Sequence, residues 1–151
     1  RYKEHRSGVF GKVSYLDVTK KWNFEDGSLD AIYSSHVFEH LTLSGARNCA
    51  AESYRCLAKG GVFRLAIPDL DLLVEEFDKN SSMEWAIKFF EAEQHREKNM
   101  HHFMYNFNSL RKLLLETGFT KINRTGYKVG VCPDIGVLDN RPDSLFVEAI
   151  K

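Results

Sequence analysis

Histidines in two segments of the chain are the residues best suited to acid–base chemistry. His36 lies in the run Ser35-His-Val-Phe-Glu-His-Leu41, and His101 and His102 are adjacent in an aromatic segment over residues 99–107. An imidazole titrates near neutral pH, so each of them can take a proton from a hydroxyl nucleophile. We therefore treat His36, His101 and His102 as candidate catalytic bases.

Two other roles compete for the histidines of the second segment. His95, His101 and His102 could bind a metal ion, but no carboxylate or cysteine spacing supports such a site, so we predict no metal. The alternative is that they pack in an aromatic loop. His40, in the first segment, is expected to hydrogen-bond locally and hold its loop rather than to act as a base.

The composition is that of a folded domain without a charge bias. Of 151 residues, 43% are hydrophobic and 28% charged, and the formal net charge is zero. Such a chain can bury a core, and it offers no electrostatic reason to bind nucleic acid or an anionic membrane. No apolar run approaches the roughly 18 residues of a transmembrane helix. The three cysteines have no paired spacing, which favours free thiols and a cytoplasmic location.

The elements that position the histidines alternate between strand and helix. Strands are predicted at 13–17, 29–34, 62–67, 119–125 and 144–150. Helices are predicted at 45–59 with Ser44 as the N-cap, at 69–98 in two pieces, and at 109–117 with Asn108 as the N-cap. Gly60 and Gly118 are expected to end helices, because glycine takes a positive φ without a Cβ penalty. The alternation predicts a mostly parallel sheet with covering helices. The last two strands, joined without a helix, predict an antiparallel C-terminal edge.

Several segments, in order along the chain, resemble sequence boxes of class I S-adenosylmethionine (SAM) dependent methyltransferases, the type 11-like group in particular. Residues 26–33 are similar to the family's "dgsfDvv" approach to its fourth strand, and residues 35–41 to the "s.hvlEHl" box after it. Residues 54–61 resemble "e.yRvLkpGG", and residues 63–69 resemble the fifth strand with its "vPd" ending. Residues 108–119 resemble the late "sl..lL..aGF" helix and turn.

The resemblance implies a Rossmann-like α/β fold and methyl transfer from SAM to a small-molecule or sugar-containing acceptor. The family's Gly-x-Gly loop is not found, since Gly8 and Gly11 follow no apolar strand. We therefore expect a partial domain over residues 1–151, with N-terminal strands missing or truncated and a helical insert at about 70–99. An exposed sheet edge in place of the first strand would favour a homo-oligomer.

Two alternatives to an active enzyme remain. A degenerate methyltransferase-like domain could serve as a non-catalytic binding or regulatory module. A different Rossmann-like protein, such as a nucleotide-dependent oxidoreductase, is the third interpretation, and the ordered series of boxes speaks against it.

The resemblance also implies which residues contact the cofactor. Asp17 matches the adenine-side acidic position, where a carboxylate would accept from the 6-amino group, and Val18 would offer its backbone N–H to the ring. Ser35 and His36 would lie near the sulfonium and the methyl group. The histidines of the second segment fall in a stretch that faces the acceptor pocket in related sequences. An in-line displacement gains much of its rate from positioning donor and acceptor.

Overall fold

The computed structural model describes residues 14–79, 83–90 and 100–151. These residues form one four-stranded sheet and the helices that cover it. The strands are β1 Leu29–Ser35, β2 Leu57–Pro68, β3 Lys121–Thr125 and β4 Ser144–Ile150. The helices are α1 Leu43–Cys56, α2 Leu70–Lys79, α3 Met83–Phe90, α4 Phe107–Glu116 and α5 Ile135–Leu138, and a 3-10 turn occupies Phe38–His40. None of the described helices is long and apolar enough to cross a membrane.

The sheet has the order β1-β2-β4-β3. β1 and β2 are parallel, whereas β4 is antiparallel to both β2 and β3, so three strands run in one direction and one against them. The predicted α/β class, with a mostly parallel sheet and antiparallel pairing at its C-terminal side, is confirmed. The last strand does not form the edge, however. It inserts between β2 and β3, which agrees with its run of five buried residues, 145–149.

One face of the sheet carries the hydrophobic core. Alternate residues of β2 and β4 point to this face and pack beneath α1 and α4. The strand residues concerned are Phe63, Leu65, Ile67, Leu145, Val147 and Ala149. Because α1 and α4 both lie on them, the strand ends that carry polar residues are held on a rigid support.

The opposite face of the same two strands is charged. Arg64 of β2 is fully buried there, and its guanidinium lies 3.0 Å from Oε1 of Glu148 on β4 and 3.1 Å, through Nε, from Oδ1 of Asp139. Arg64 also donates to the carbonyls of Gly126 and Val129, at 3.0 and 3.1 Å. The segment 126–143 is thereby fastened across this face.

Helix α1 begins and ends earlier than predicted. Its N-cap is Thr42, whose hydroxyl accepts from the Gly45 N–H at 3.2 Å, rather than Ser44. It ends at Cys56 because Leu57 is already extended and pairs with Leu29 of β1. Gly60 does have a positive φ, 83°, but within a bulge of β2 and not at a helix terminus.

Helix α4 follows the prediction more closely. Asn106 caps it by accepting from the Ser109 N–H at 2.9 Å, two residues before the predicted cap Asn108. Gly118 ends it, with a φ of 111°. The N–H groups of Gly118 and Phe119 donate to the carbonyls of Leu115 and Leu114 at 3.1 and 3.2 Å, which is a Schellman motif.

The strand predicted at 13–17 is not formed at residues 14–17, and Val13 lies outside the described residues. Tyr15 is 86% exposed, because no neighbouring described strand pairs with this segment and an alternating sequence cannot hold a strand without a partner. The predicted helical insert corresponds to α2 and α3, with residues 91–99 outside the description. The single-domain boundaries and the homo-oligomer stay predictions.

Candidate active site

A cavity of about 620 Å³ lies beyond the carboxyl ends of β1 and β2. Its walls come from the loop after β1, the Pro68-Asp69 end of β2, helix α2, and residues 140–144. In open α/β sheets this end of the strands is where ligands bind, and the volume suits a small molecule. The geometry therefore makes this cavity the candidate active site.

His36 is fixed in the cavity wall by its backbone. It follows the last residue of β1, has a left-handed φ of 51°, and donates its N–H to the Ala66 carbonyl at 2.8 Å. A positive φ at a residue other than glycine is strained and persists only where the surroundings hold it. Here the strain turns the imidazole away from the strand, toward Ser144 and Glu39.

The two ring nitrogens of His36 face different partners. Nε2 lies 2.9 Å from the Ser144 hydroxyl on the cavity wall, and Nδ1 lies 3.1 Å from Oε1 of Glu39. A proton on Nδ1 would face the Glu39 carboxylate, and in that tautomer Nε2 keeps its lone pair on the cavity side. The guanidinium of Arg141 lies 3.5 Å from the same Nδ1, and it can donate to this nitrogen only in the other tautomer, in which Nδ1 carries the lone pair.

Glu39 is a buried carboxylate at this end of the sheet. Its side chain is 1% exposed, and neither oxygen receives an aligned hydrogen bond from the described residues. Its carbonyl accepts from the N–H groups of His102 and Phe103, at 2.7 and 3.2 Å. The 3-10 turn and the segment after residue 100 are thus joined at Glu39. The sequence marked Glu39 only as part of a box and gave it no role.

Of the two described histidines in the second segment, one lines the cavity and the other does not. His101 lines the cavity, and its Nδ1 lies 2.7 Å from the Phe89 carbonyl. The imidazole of His102 is exposed, because its backbone is tied to Glu39 with the ring turned outward. The structure thus brings His36 and His101 to one cavity and leaves His102 outside its wall. His95 lies outside the described residues.

Three further residues of the wall were not predicted. Asp69 is buried, caps α2 through the Asp71 N–H at 3.1 Å, and accepts from Arg124 at 2.7 Å. The Pro68-Asp69 strand end could have indicated it. Arg141 and Ser144 reach the cavity because β4 pairs directly with β2, and no local sequence signal indicates that pairing.

Buried charges hold the segment that carries Arg141. Burial alone would raise the pKa of Asp139, but the hydrogen bonds from the Arg64 guanidinium override it and hold this pKa below its ordinary value. Burial likewise opposes the charge of Arg64, whereas its bonds to Asp139 and Glu148 raise its pKa. Both groups are therefore ionised. Arg64 does not line the cavity, and its role there is to hold the segment that carries Arg141 in place.

Asp17, which the sequence predicted to contact the adenine of the cofactor, closes a turn. Its Oδ1 accepts from the hydroxyl and the N–H of Thr19, at 2.7 and 3.1 Å, and Lys20 lies 3.2 Å from Oδ2. These hydrogen bonds lower the pKa of Asp17, and the one from the Thr19 hydroxyl has the largest effect. The side chain is therefore an ionised carboxylate, which can only accept hydrogen bonds. The Val18 carbonyl accepts from the Trp22 indole at 3.2 Å.

The turn of Asp17 and the loop of His36 meet at the first turn of α1. A side chain at Gly45 would come within 3.2 Å of the Thr19 methyl, so glycine allows the turn to lie close against the helix. Asn48 donates to the Thr19 carbonyl at 3.4 Å from the next turn of the same helix. Helix α1 is therefore the element that positions both groups of residues.

The described residues fit part of an S-adenosylmethionine site. The acceptor-only carboxylate of Asp17 suits an exocyclic amino group, and the loop of Ser35 and His36 opens on a cavity of suitable size. No Gly-x-Gly loop occurs in the described residues. Asp17, Val18 and Ser35 are not among the residues that line the cavity, so their contacts with the cofactor stay predictions.

Comparison with known proteins finds a methyltransferase family model and several methyltransferase structures. Residues 2–65 match the family model described as a methyltransferase domain. A SAM-dependent methyltransferase from Thermotoga maritima superposes with a TM-score of 0.56 at 20% identity, covering 87% of this chain and 60% of that one. One from Archaeoglobus fulgidus gives a TM-score of 0.55 at 15% identity, covering 85% of this chain and 62% of that one. No curated protein sequence matches.

The chain has the fold of class I SAM-dependent methyltransferases, as the sequence boxes predicted. It spans about three fifths of the length of these solved structures. A polyketide synthase methyltransferase domain from citrinin biosynthesis covers 99% of this chain at a TM-score of 0.61 and 11% identity. At these identities the likeness concerns the fold, and it leaves cofactor, acceptor and residue roles to the site itself.

Proposed function

We propose that this chain carries the acceptor side of a SAM-dependent methyltransferase that acts on a small-molecule or sugar-containing acceptor. The observation that carries the proposal is the position of His36, whose strained backbone directs Nε2 to the wall of the cavity at the strand ends. The fold supports it, because the chain superposes on a SAM-dependent methyltransferase with a TM-score of 0.56 over 87% of its length.

His36 is the proposed general base. SAM supplies an electrophilic methyl group when bound. Glu39 lies 3.1 Å from Nδ1 and stabilises the imidazolium that forms when Nε2 takes a proton from the acceptor. The Ser144 hydroxyl, 2.9 Å from Nε2, occupies the place that an acceptor hydroxyl would take. His101, on the same wall, is the second candidate for contact with the acceptor.

The cavity wall suits an acceptor with several hydroxyl groups. Polar side chains of both charges line it, Asp69 and Arg141 among them, next to apolar Leu72 and Leu73. Paired donors and acceptors over an apolar floor recognise a ring that is polar at its edges. Asp17, Val18 and Ser35 are proposed to contact the cofactor.

Calorimetric titration with SAM tests the proposal, on this chain and on the chain together with any coding sequence that precedes Arg1. Binding by at least one of them is expected. If neither binds SAM, the methyltransferase proposal is wrong and the degenerate binding module replaces it.

The role of His36 is tested by transfer of a radiolabelled methyl group to a panel of hydroxylated small molecules. His36→Gln is expected to lower kcat about 100-fold or more, with SAM affinity and KM little changed, because one general base contributes about 10²–10⁴-fold. An acceptor already ionised at the assay pH serves as the control, since it needs no base. Equal losses for both acceptor types would exclude the proton-transfer role.

A further inference from the structure

Three ligating side chains meet behind the cavity wall. Glu39 and His40 come from the 3-10 turn, His101 comes from the segment after residue 100, and their ligand atoms all lie within 4.8 Å of one another. The His40 and His101 rings are 5.0 Å apart between centroids, and His40 Nε2 is 3.9 Å from the Glu39 carboxylate. Since 61 positions separate His40 from His101, no local spacing in the sequence indicates the cluster.

Both imidazoles are oriented from behind by backbone carbonyls. The Nδ1 of His40 lies 3.3 Å from the Met100 carbonyl, and the Nδ1 of His101 lies 2.7 Å from the Phe89 carbonyl. A carbonyl only accepts, so Nδ1 carries the proton in each ring and Nε2 is the nitrogen with the lone pair. Metal-binding histidines typically donate their other ring N–H in this way, which fixes the tautomer and the ring orientation.

The carboxylate supplies a second, independent observation. Glu39 is 1% exposed, and neither of its oxygens receives an aligned hydrogen bond from the described residues. A buried carboxylate that receives no aligned hydrogen bond is costly unless a cation or a proton compensates it. A metal ion bound on the side of His40 and His101 would compensate the charge and leave the contact with His36 in place.

We propose that Glu39, His40 and His101 bind a divalent transition-metal ion, Zn²⁺ in the first place. Two imidazoles and one carboxylate are a known ligand set for zinc with one open position, at about 2.0–2.2 Å from each ligand. Imidazole ligands disfavour Mg²⁺ and Ca²⁺, which prefer oxygen. The ligands must therefore move together by about 1 Å, since a tetrahedral site of that size separates its ligands by roughly 3.4 Å.

The ion would join the 3-10 turn to the segment after residue 100. His101 also lines the cavity, so the site would fix one wall of it. Metal binding does not depend on methyl transfer, and it can be observed whether or not the chain binds SAM.

Cobalt serves as the spectroscopic probe for this site. The full chain, stripped of metal by a chelator, is titrated with Co²⁺ while the visible absorption is recorded, and Zn²⁺ is then added in competition. Saturation at one equivalent with the intense bands of a four-coordinate ion is expected, and displacement by Zn²⁺ but not by Mg²⁺. Glu39→Gln and His101→Gln should each weaken binding about 100-fold or more, since outer-shell changes alone cost about 10–100-fold.

His102→Gln is the matched control, because His102 is adjacent to a ligand yet exposed, and its cobalt affinity should equal that of the parent chain. Circular dichroism of each variant verifies folding, and His101→Gln alone decides the question if Glu39→Gln unfolds. Absence of saturable Co²⁺ binding by the parent chain, or equal affinity in the parent chain and the His101→Gln variant, would overturn the proposal.

Discussion

Arg64 is the residue on which the charged face of the sheet depends. It is fully buried against two carboxylates, and its guanidinium lies 4.9 Å from the centre of the Phe146 ring. Through Asp139 it fixes the segment that brings Arg141 to the cavity. A buried ion pair adds little net stability by itself, but removal of one partner leaves a charge uncompensated.

At the residue scale we therefore predict that Arg64→Met lowers the free energy of unfolding by about 3–5 kcal/mol at pH 7. In the parent chain the pKa of Asp139 is below its unfolded value, so its contribution is present above about pH 4 and is lost as the pH falls further. In the variant, burial raises this pKa and is opposed only by the hydrogen bonds from the Lys128 N–H and the Tyr33 hydroxyl, so the pKa of Asp139 lies above its value in the parent chain. The deficit should then shrink as the pH falls through the range in which Asp139 is protonated in the variant but not in the parent chain. Urea denaturation at several pH values measures both effects.

Arg47→Met is the matched control, because the Arg47 guanidinium lies 3.5 Å from Glu116 at the surface, with both side chains at least 42% exposed. An exposed pair contributes about 0–1 kcal/mol. A loss for Arg64→Met no larger than for Arg47→Met, or a deficit that does not depend on pH, would contradict the account of the buried cluster.

Among the elements, the turn from α4 to β3 depends most on one residue. Gly118 has a φ of 111°, and a side chain added there would lie 3.0 Å from the ring of Tyr54. That ring packs edge-on against Phe119, at 5.2 Å between centroids, so it has little room to move. Gly60, with a φ of 83°, has no atom within 4 Å of the same position.

Gly118→Ala and Gly60→Ala separate backbone strain from steric overlap. Both require a left-handed alanine, which costs about 1–2 kcal/mol. Gly118→Ala must in addition displace Tyr54, so we expect a loss of about 2–4 kcal/mol there, since overpacking adds about 1–3 kcal/mol. Chemical denaturation of the two variants with a common slope measures the difference. Equal losses would show that the Tyr54 ring yields without cost.

The elements also show how far the sequence could predict this molecule. Strand β4 was predicted with its bounds, and Gly118 was assigned as a helix end, because both signals are local. The end of α1 was misplaced at Gly60, because the pairing of Leu57 with Leu29 decides it and such pairing is not local. The same contrast between local and non-local signals applies to the candidate site. His36 and His101 could be proposed from their residue type, whereas Glu39, Arg141 and Ser144 are brought to the site only by the topology of the fold.

On the scale of the whole molecule, the sheet separates a hydrophobic core on one face from a buried charged cluster on the other. Cys49 lies on the face of α1 that packs into the hydrophobic core, and Cys132 lies on the charged face, where its N–H donates to Glu148 at 3.0 Å. Burial raises the pKa of Cys49 to about 12 and that of Cys132 to about 11. Only the thiolate reacts with alkylating reagents, so each thiol reports the opening of its own face.

If the two faces open independently, the variants above should expose different cysteines. Arg64→Met removes the anchor of the segment that contains Cys132, so alkylation of Cys132 under native conditions should accelerate at least about tenfold more than that of Cys49. Such a ratio corresponds to about 1.4 kcal/mol of difference in local opening. Gly118→Ala disturbs the core through Tyr54, so in that variant the alkylation of Cys49 should accelerate more than that of Cys132. Mass spectrometry of timed iodoacetamide labelling gives both rates from one sample, with Cys56 as a second reporter of the core. Equal acceleration of all three thiols in both variants would mean that the sheet and its two covers unfold as one cooperative unit, and that the segment carrying Arg141 cannot loosen without the core.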